Sequence, residues 1–419
     1  MKRDMDVLVI GGGVIGTCSA YYLARQGLRV SLVEKREIAS GCSGASAGLI
    51  VPSYSIPLAA PGVLRQGFKG ILRSESPFYI KPRFDPVLFS WLWQFRKACR
   101  PDQMHRGIRV LRDLNYASLE LFDHLIENES LQCNFRKDGW LLAYKTEKGF
   151  QGALEEAQLL QSYDIKLKIM NADDALEMEP TLHPEIAGCV YFPDDAHLDP
   201  MRFVQALTER LKELGVTVHT QTDVLGFETS SDRITSVRTA QGDFKSGQVV
   251  LAAGAWSREI GHSLSLALPV QPAKGYSILF KRPKGCPGIP LYFTEAKVAV
   301  TPLEDDLRFA GTLELTGMDF NDSNRRVNAI ISAAKDYLRQ IETTEVIEIL
   351  AGLRPCTPDG LPIVDRVPGY KNLLIATGHG MLGITLAPVT GKLISQLACD
   401  QAPDINLAPL QVARFKKSV

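Results

Sequence analysis

The clearest hydrophobic patterning lies toward the two ends of the chain. Residues 6–10 (DVLVI) form a short unbroken apolar run, as expected of a strand covered on both faces. Gly11, Gly12 and Gly13 stop it, and residues 17–26 then predict a helix with Ala20, Leu23 and Ala24 on one side. Gly27 ends that helix in the usual C-terminal role, and residues 28–33 return as a second strand with Glu34 at its end. Late in the chain the pattern recurs. Residues 372–376 (NLLIA) read as a buried strand, 377–383 as a glycine-rich turn, and 384–397 as a helix of small and apolar residues. Between them, residues 249–256 (VVLAAGAW) are a buried strand running into a turn of small residues.

The middle of the chain is legible in parts. Residues 105–127 place Ile108, Leu111, Leu114, Leu121 and Leu125 at helical spacing. Asp199-Pro200 reads as an N-cap and first helical position, ahead of Phe203, Val204, Leu207, Leu211 and Leu214 on one face. Residues 216–220 predict a strand. Residues 224–250 alternate strand-like runs with turns at 230–232 and 241–243, which predicts a small β-meander. Residues 51–100 are irregular, with Pro52, Pro57, Pro61, Pro77, Pro82 and Pro86 among mixed aromatic and basic residues. Two readings stay open there. One is a membrane-surface or quinone-facing element, since basic and aromatic residues together suit an interface. The other is a proline-rich loop and helix, or a lid, packed on the rest. Under the first, charging Phe68 and Ile71 is expected to release the protein from membranes.

A chain of 419 residues predicts two domains rather than one core. Lys plus Arg and Asp plus Glu both total 47, so nothing in the charge balance points to wholesale nucleic-acid binding. The eight cysteines are scattered without a Cys-x-x-Cys pair, which argues against a metal site and a secreted disulfide framework and for a cytoplasmic protein. The first apolar run ends in glycines rather than a cleavage site, and no stretch of 18 apolar residues occurs.

Chemistry enters with the glycines. Gly11, Gly13 and Gly16 have G-x-G-x-x-G spacing between a strand and a helix. In such a unit the first glycine permits the tight turn. The second lets a pyrophosphate approach the backbone, and the third lets helix and strand pack. Glu34 suits ribose hydroxyls. The pattern alone does not separate NAD from FAD. The second glycine-rich turn, at 377–383, predicts another helix N-terminus, suited to negative charge on a reduced flavin ring.

These segments, with GLRPCTPDGLPIVD at 352–365 and TGHGMLGITLAP at 377–388, occur in the order found in the D-amino-acid oxidase superfamily, which the chain resembles over nearly its whole length. The stretch 46–95, with SAGLIVPSYSIPLAAPGV and FSWLWQF, most resembles the bacterial D-amino-acid dehydrogenase small-subunit type. The resemblance implies an α/β fold in which a Rossmann-like FAD-binding domain (1–50, 180–256 and 345–419) interleaves with an α+β substrate domain. That second domain (51–179 and 257–344) would carry a mixed, largely antiparallel sheet.

It also implies non-covalent FAD, because Cys356 does not stand in the local pattern of members that attach the cofactor through cysteine. Expected cofactor contacts near the N-terminus are Gly11, Gly13, Val14, Ile15, Gly16, Glu34, Lys35, Ser43, Ser46, Ala47 and Gly48. Val224 would approach the adenine, with Ala253, Gly254 and Trp256 nearby. From the C-terminal motifs come Gly352, Arg354, Gly378, His379, Gly380, Met381, Leu382, Gly383 and Thr385. Arg354 would clamp the substrate carboxylate, its planar fork suiting bidentate binding. Tyr276 and Tyr292 are candidates to assist it, each with a half-buried sheet aromatic as the alternative. His379 either contacts the flavin pyrimidine edge or satisfies backbone groups.

The implied reaction is oxidative deamination of a small (D-)amino acid by hydride transfer from Cα to flavin N5. The amine lone pair drives it and no base is needed. Electrons would pass to a quinone or other carrier, with the protein cytoplasmic and peripheral on the inner face of the membrane. Alternatives are an oxygen-using glycine, sarcosine or proline-type amine oxidase, or the FAD subunit of a multi-subunit dehydrogenase. The oligomeric state is left open.

Overall fold

The structure, a computed structural model, describes residues 5–63, 78–321, 323–339, 341 and 345–415. Its centre is a six-stranded sheet. Met5–Ile10 lies between Val30–Val33 and Ser246–Leu251, parallel to both, and all three are almost wholly buried. Thr217–His219 and Leu373–Thr377 extend it in the same direction, and Ile363–Arg366 adds an antiparallel edge. The unbroken apolar runs thus pair with one another, since only a strand covered on both faces can afford no polar alternation.

The first helix spans Val14–Arg25, three residues ahead of the prediction, with Gly13 as its N-cap. The late helix begins at Ala387 rather than 384, because residues 383–386 turn first and Pro388 suits the opening helical turn. Asp199 caps Pro200–Glu213 as expected, its carboxylate accepting from the amides of Met201 (2.9 Å) and Arg202 (3.2 Å). The predicted helix over 105–127 runs Pro101–Glu129, started by its proline. Strands Val224–Ser230, Arg233–Thr239 and Gly242–Phe244 form the expected meander.

A second, larger sheet carries the other layer. Gln271–Lys281 pairs antiparallel with Val346–Cys356 on one side and Asp306–Leu315 on the other. Val298–Pro302, Leu291–Phe293, Trp140–Tyr144 and Gly188–Phe192 continue it, mostly antiparallel. This is the mixed sheet the sequence predicts. Gly188–Phe192 and Val346–Cys356, in segments assigned to the first domain, pair here.

In the irregular stretch, Pro86–Ala98 is a helix capped by Asp85. It buries Leu88, Trp91 and Phe95, and the Trp91 indole donates to Cys356 O at 3.1 Å. Its other side leaves Phe89 and Trp93 exposed, with Phe84 just ahead. Phe68 and Ile71 lie outside the described residues.

Candidate active site

The two sheets enclose a cavity of about 1140 Å³. That exceeds the ~300–1,000 Å³ usual for one small ligand, which suits a long cofactor together with a substrate. One end is built on the first glycine turn. Gly11, Gly13, Val14 and Ile15 line it. The Glu34 carboxylate reaches across to accept from Gly12 N at 2.7 Å, and Ser43 Oγ accepts from Val14 N at 2.9 Å. Gly16 lies beneath the turn rather than in the cavity, and a Cβ there would come within 1.8 Å of Gly11 O. The third glycine is thus a packing requirement. Lys35, paired with Asp223 at 3.1 Å, Val224 and Ser46 and Ala47 also line this part. So do Ala253, Gly254 and Trp256, the last stacked on Phe320 at 5.8 Å. A glycine turn ending in a helix whose N-cap has no side-chain bond fits a dinucleotide pyrophosphate.

The second glycine turn borders the cavity through His379, Gly380, Met381, Leu382 and Gly383. The helix itself starts later, so the turn, not the helix end, borders the cavity. His379 is buried, its Nε2 3.0 Å from Thr390 Oγ1. Burial pushes the imidazole down to about 3, so it is neutral at physiological pH. Gly48, Gly378 and Thr385 do not line the cavity. The Thr385 hydroxyl instead accepts from Val51 N and donates to Leu49 O, both at 3.2 Å.

Arg354 stands where Val346–Cys356 meets Gln271–Lys281, above Gly275. A Cβ at Gly275 would fall 2.0 Å from Arg354 Nη1, so a side chain there would have to push the guanidinium from its present place. Nη1 donates to Thr312 O at 2.7 Å, which fixes the fork. Among the described residues Arg354 has no carboxylate partner. Gly352, on the same strand, also lines the cavity.

Around Arg354 the walls are aromatic. Tyr54, Trp140, Tyr144 and Tyr292 line this part, with Trp140 5.4 Å from Tyr292 and 6.1 Å from Tyr54 between ring centroids. Burial pushes the Tyr54 phenol up to about 12, the Glu156 carboxylate adding to this and Arg354 opposing it. Burial also holds the Tyr292 phenol well above its ordinary value. Both are neutral donors at any working pH.

Tyr292 therefore lines the cavity and Tyr276 does not. Tyr276 is wholly buried in the core between the large sheet and its helices, beside Ile278, Phe293 and Phe309. Strand alternation explains this: Gly275 faces the cavity, so Tyr276 must face away. Sequence reading missed Tyr54, Trp140, Tyr144, Glu156, Gly275 and Lys297. Only Gly275 left a signal, a glycine inside a strand pattern, which marks a close approach.

The chain matches the family described as FAD dependent oxidoreductase over residues 6–397. It is 34% identical over 420 residues to a D-amino acid dehydrogenase of Vibrio atlanticus, covering 98% of this chain and 100% of that protein. Identity to the D-amino acid dehydrogenase of Bradyrhizobium diazoefficiens is 31%, over 98% and 99%. Among solved structures, glycine oxidase from Geobacillus kaustophilus superposes with a TM-score of 0.81 at 24% identity, over 99% of this chain and 100% of that one. L-proline dehydrogenase from P. horikoshii gives 0.78 at 19% identity, over 99% and 98%. At such identities these two likenesses speak to the fold.

Proposed function

The chain belongs to the FAD dependent oxidoreductase family, and from that footing we propose that it oxidises a small D-amino acid at the Cα–N bond, giving an imine that water converts to a 2-oxo acid and ammonia. The observation that carries this reading is Arg354. A guanidinium fixed through Thr312 O, facing a cavity and without a carboxylate partner among the described residues, calls for an anionic ligand. Burying such a charge unpaired is costly, and a bidentate carboxylate answers it.

When bound, FAD supplies the two-electron acceptor. The chain's own residues bind and orient. The glycine turn, Glu34 and Ser43 would hold the dinucleotide end, and residues 379–383 would border the ring end. Arg354 would grip the carboxylate and so fix the direction of the Cα–H bond, the kind of positioning worth several orders of magnitude in rate. Tyr54 and Tyr292, both neutral, would donate hydrogen bonds, while Trp140 and Tyr144 exclude water. Among the described residues the side chains nearest Arg354 are aromatic or neutral, which suits an amine whose own lone pair would drive hydride loss.

For the acceptor we favour a quinone or other membrane carrier. Phe84, Phe89 and Trp93 are exposed together, and Arg96 and Lys97 lie 5.9 and 5.3 Å from the Trp93 ring. Aromatic and basic groups so combined suit an anionic membrane surface. The buried side of the same helix packs against Leu58, Val63 and Phe78, which also line the cavity. No helix among the described residues is long and apolar enough to cross a membrane. The test is turnover of D-alanine by the holoprotein in an oxygen electrode, with and without a dye or quinone acceptor. Turnover requiring the acceptor supports the dehydrogenase. Equal turnover on oxygen alone returns the oxidase alternative.

A further inference from the structure

The cavity holds two further charged groups beyond the aromatic wall, and neither is used by the chemistry above. Glu156 lies on the helix Glu147–Gln161, beside Ala153, Ala157 and Leu160, the residues that bury that helix. Among the described residues its carboxylate has no hydrogen bond or ion pair. Glu156 is solvent-exposed along the cavity, and the protein around it pushes its carboxyl upward, Lys297 opposing. Lys297 lies in the turn between strands Leu291–Phe293 and Val298–Pro302, at a left-handed φ of 57° that a lysine seldom adopts. Its ammonium stands 6.0 Å from the Tyr292 ring centroid, and burial pushes it downward against the pull of Glu156 and Glu295.

Glu295 is not free to join them. It already accepts from the amides of Lys145 and Thr146 and the hydroxyls of Thr146, Thr294 and Tyr337. That leaves the Glu156 carboxylate and the Lys297 ammonium on this stretch of the cavity wall near Tyr292, not in salt-bridge contact with each other. Tyr292 and Tyr54 each lie near enough to feel both Arg354 and Glu156, and all four line the same cavity.

We propose that Glu156 and Lys297 form the side-chain subsite, and that it selects amino acids whose side chain ends in a neutral group able to donate and accept at once, a hydroxyl or a carboxamide. The proposal rests on Arg354 gripping the α-carboxylate. An acidic side chain would gain Lys297 but also meet Glu156, and a basic one would gain Glu156 but also meet Lys297, so either charge is held only against a like-charge contact. An apolar side chain would strip water from both groups and return nothing. A hydroxyl donates to the carboxylate and accepts from the ammonium. A site built to bond a substrate hydroxyl rejects the analogue lacking it, and the discrimination comes from the protein groups left unpaired.

The test pairs amino acids that differ only by hydroxyl against methyl at three lengths. These are D-serine with D-2-aminobutyrate, D-homoserine with D-norvaline, and D-5-hydroxynorvaline with D-norleucine. The holoprotein is reduced anaerobically and kcat/KM is taken from flavin bleaching. Dissociation constants of the matching 2-hydroxy acids, read from the shift in flavin absorbance, give a readout independent of turnover. At the length that fits, the hydroxyl member is expected to lead by about tenfold or more in both readouts. D-glutamate and D-lysine should trail it. In the double variant Glu156→Leu/Lys297→Met the lead should vanish or invert. Glu156→Gln, which keeps a donor and an acceptor, should retain part of it, and its flavin content reports that it is folded. A methyl member leading at all three lengths overturns the proposal, as does a lead unchanged in the double variant. Failure of every amino acid to bleach the flavin overturns the carboxylate grip and this subsite together.

Discussion

At the scale of single residues the account makes separable claims. Arg354→Ala should keep its flavin but lose about 2–5 kcal/mol in kcat/KM for a D-amino acid, the usual cost of removing one partner of a desolvated charge pair. Arg354→Lys should recover only part, because an ammonium cannot form the planar fork. Gly275→Ala is the more pointed substitution. Its new methyl would sit 2.0 Å from Arg354 Nη1, and the displaced guanidinium should cost about 10²-fold in kcat/KM while the visible flavin spectrum is unchanged. Normal turnover by Gly275→Ala would show that the guanidinium need not lie there. Asp195 gives a pH prediction. It is wholly buried, hydrogen-bonded to Ser53 Oγ and to Ser53 N (3.1 Å), and burial raises its carboxyl to about 8. Between about pH 4 and 8 the unfolded chain has released this proton and the folded chain has not. Stability from this group is therefore full below pH 4 and falls as pH rises to 8. Asp195→Asn should flatten that part of the Tm–pH curve, and an unchanged slope would contradict the assignment.

At the scale of elements, the strand–turn–helix at the N-terminus depends on one close approach. Gly16→Ala would press a methyl into Gly11 O at 1.8 Å, so the helix Val14–Arg25 must move off its strand. The expected outcome is loss of bound flavin with a lowered Tm, read as the ratio of flavin to protein absorbance. Full flavin occupancy in that variant would contradict the packing role. The same elements show what sequence can carry. Buried parallel strands were legible as apolar runs because both faces are covered, and the cap at Asp199 because it is local chemistry, whereas the start of the first helix at Gly13 was not. The late helix was placed three residues too early, since residues 384–386 are as apolar as the helix that follows. Tyr276 and Tyr292 could not be told apart from spacing alone: facing depends on register within the large sheet, set by Gly275 opposite Gly352, which is long-range information. The aromatic wall of Tyr54, Trp140 and Tyr144 comes from two distant segments, the last two residues sharing the strand Trp140–Tyr144, and left no local signal.

At the scale of the molecule, two sheets interleaved along the chain meet at one cavity, and an exposed aromatic helix lies one layer behind it. The double variant Phe89→Glu/Trp93→Glu removes two apolar anchors from that helix and should lower co-sedimentation with anionic vesicles by about tenfold, leaving flavin content intact. Unaltered sedimentation would remove the membrane role of this surface. The central claim is that one end of the cavity holds the flavin while Arg354 presents an amino acid to it. Its most direct test is anaerobic titration of the FAD-loaded protein with D-alanine, D-serine and their L-enantiomers, following the visible flavin absorbance. The account predicts bleaching by the D-amino acids that saturates with concentration and is lost in Arg354→Ala. A protein that holds its flavin yet stays yellow with every amino acid, or bleaches equally well without Arg354, would contradict it.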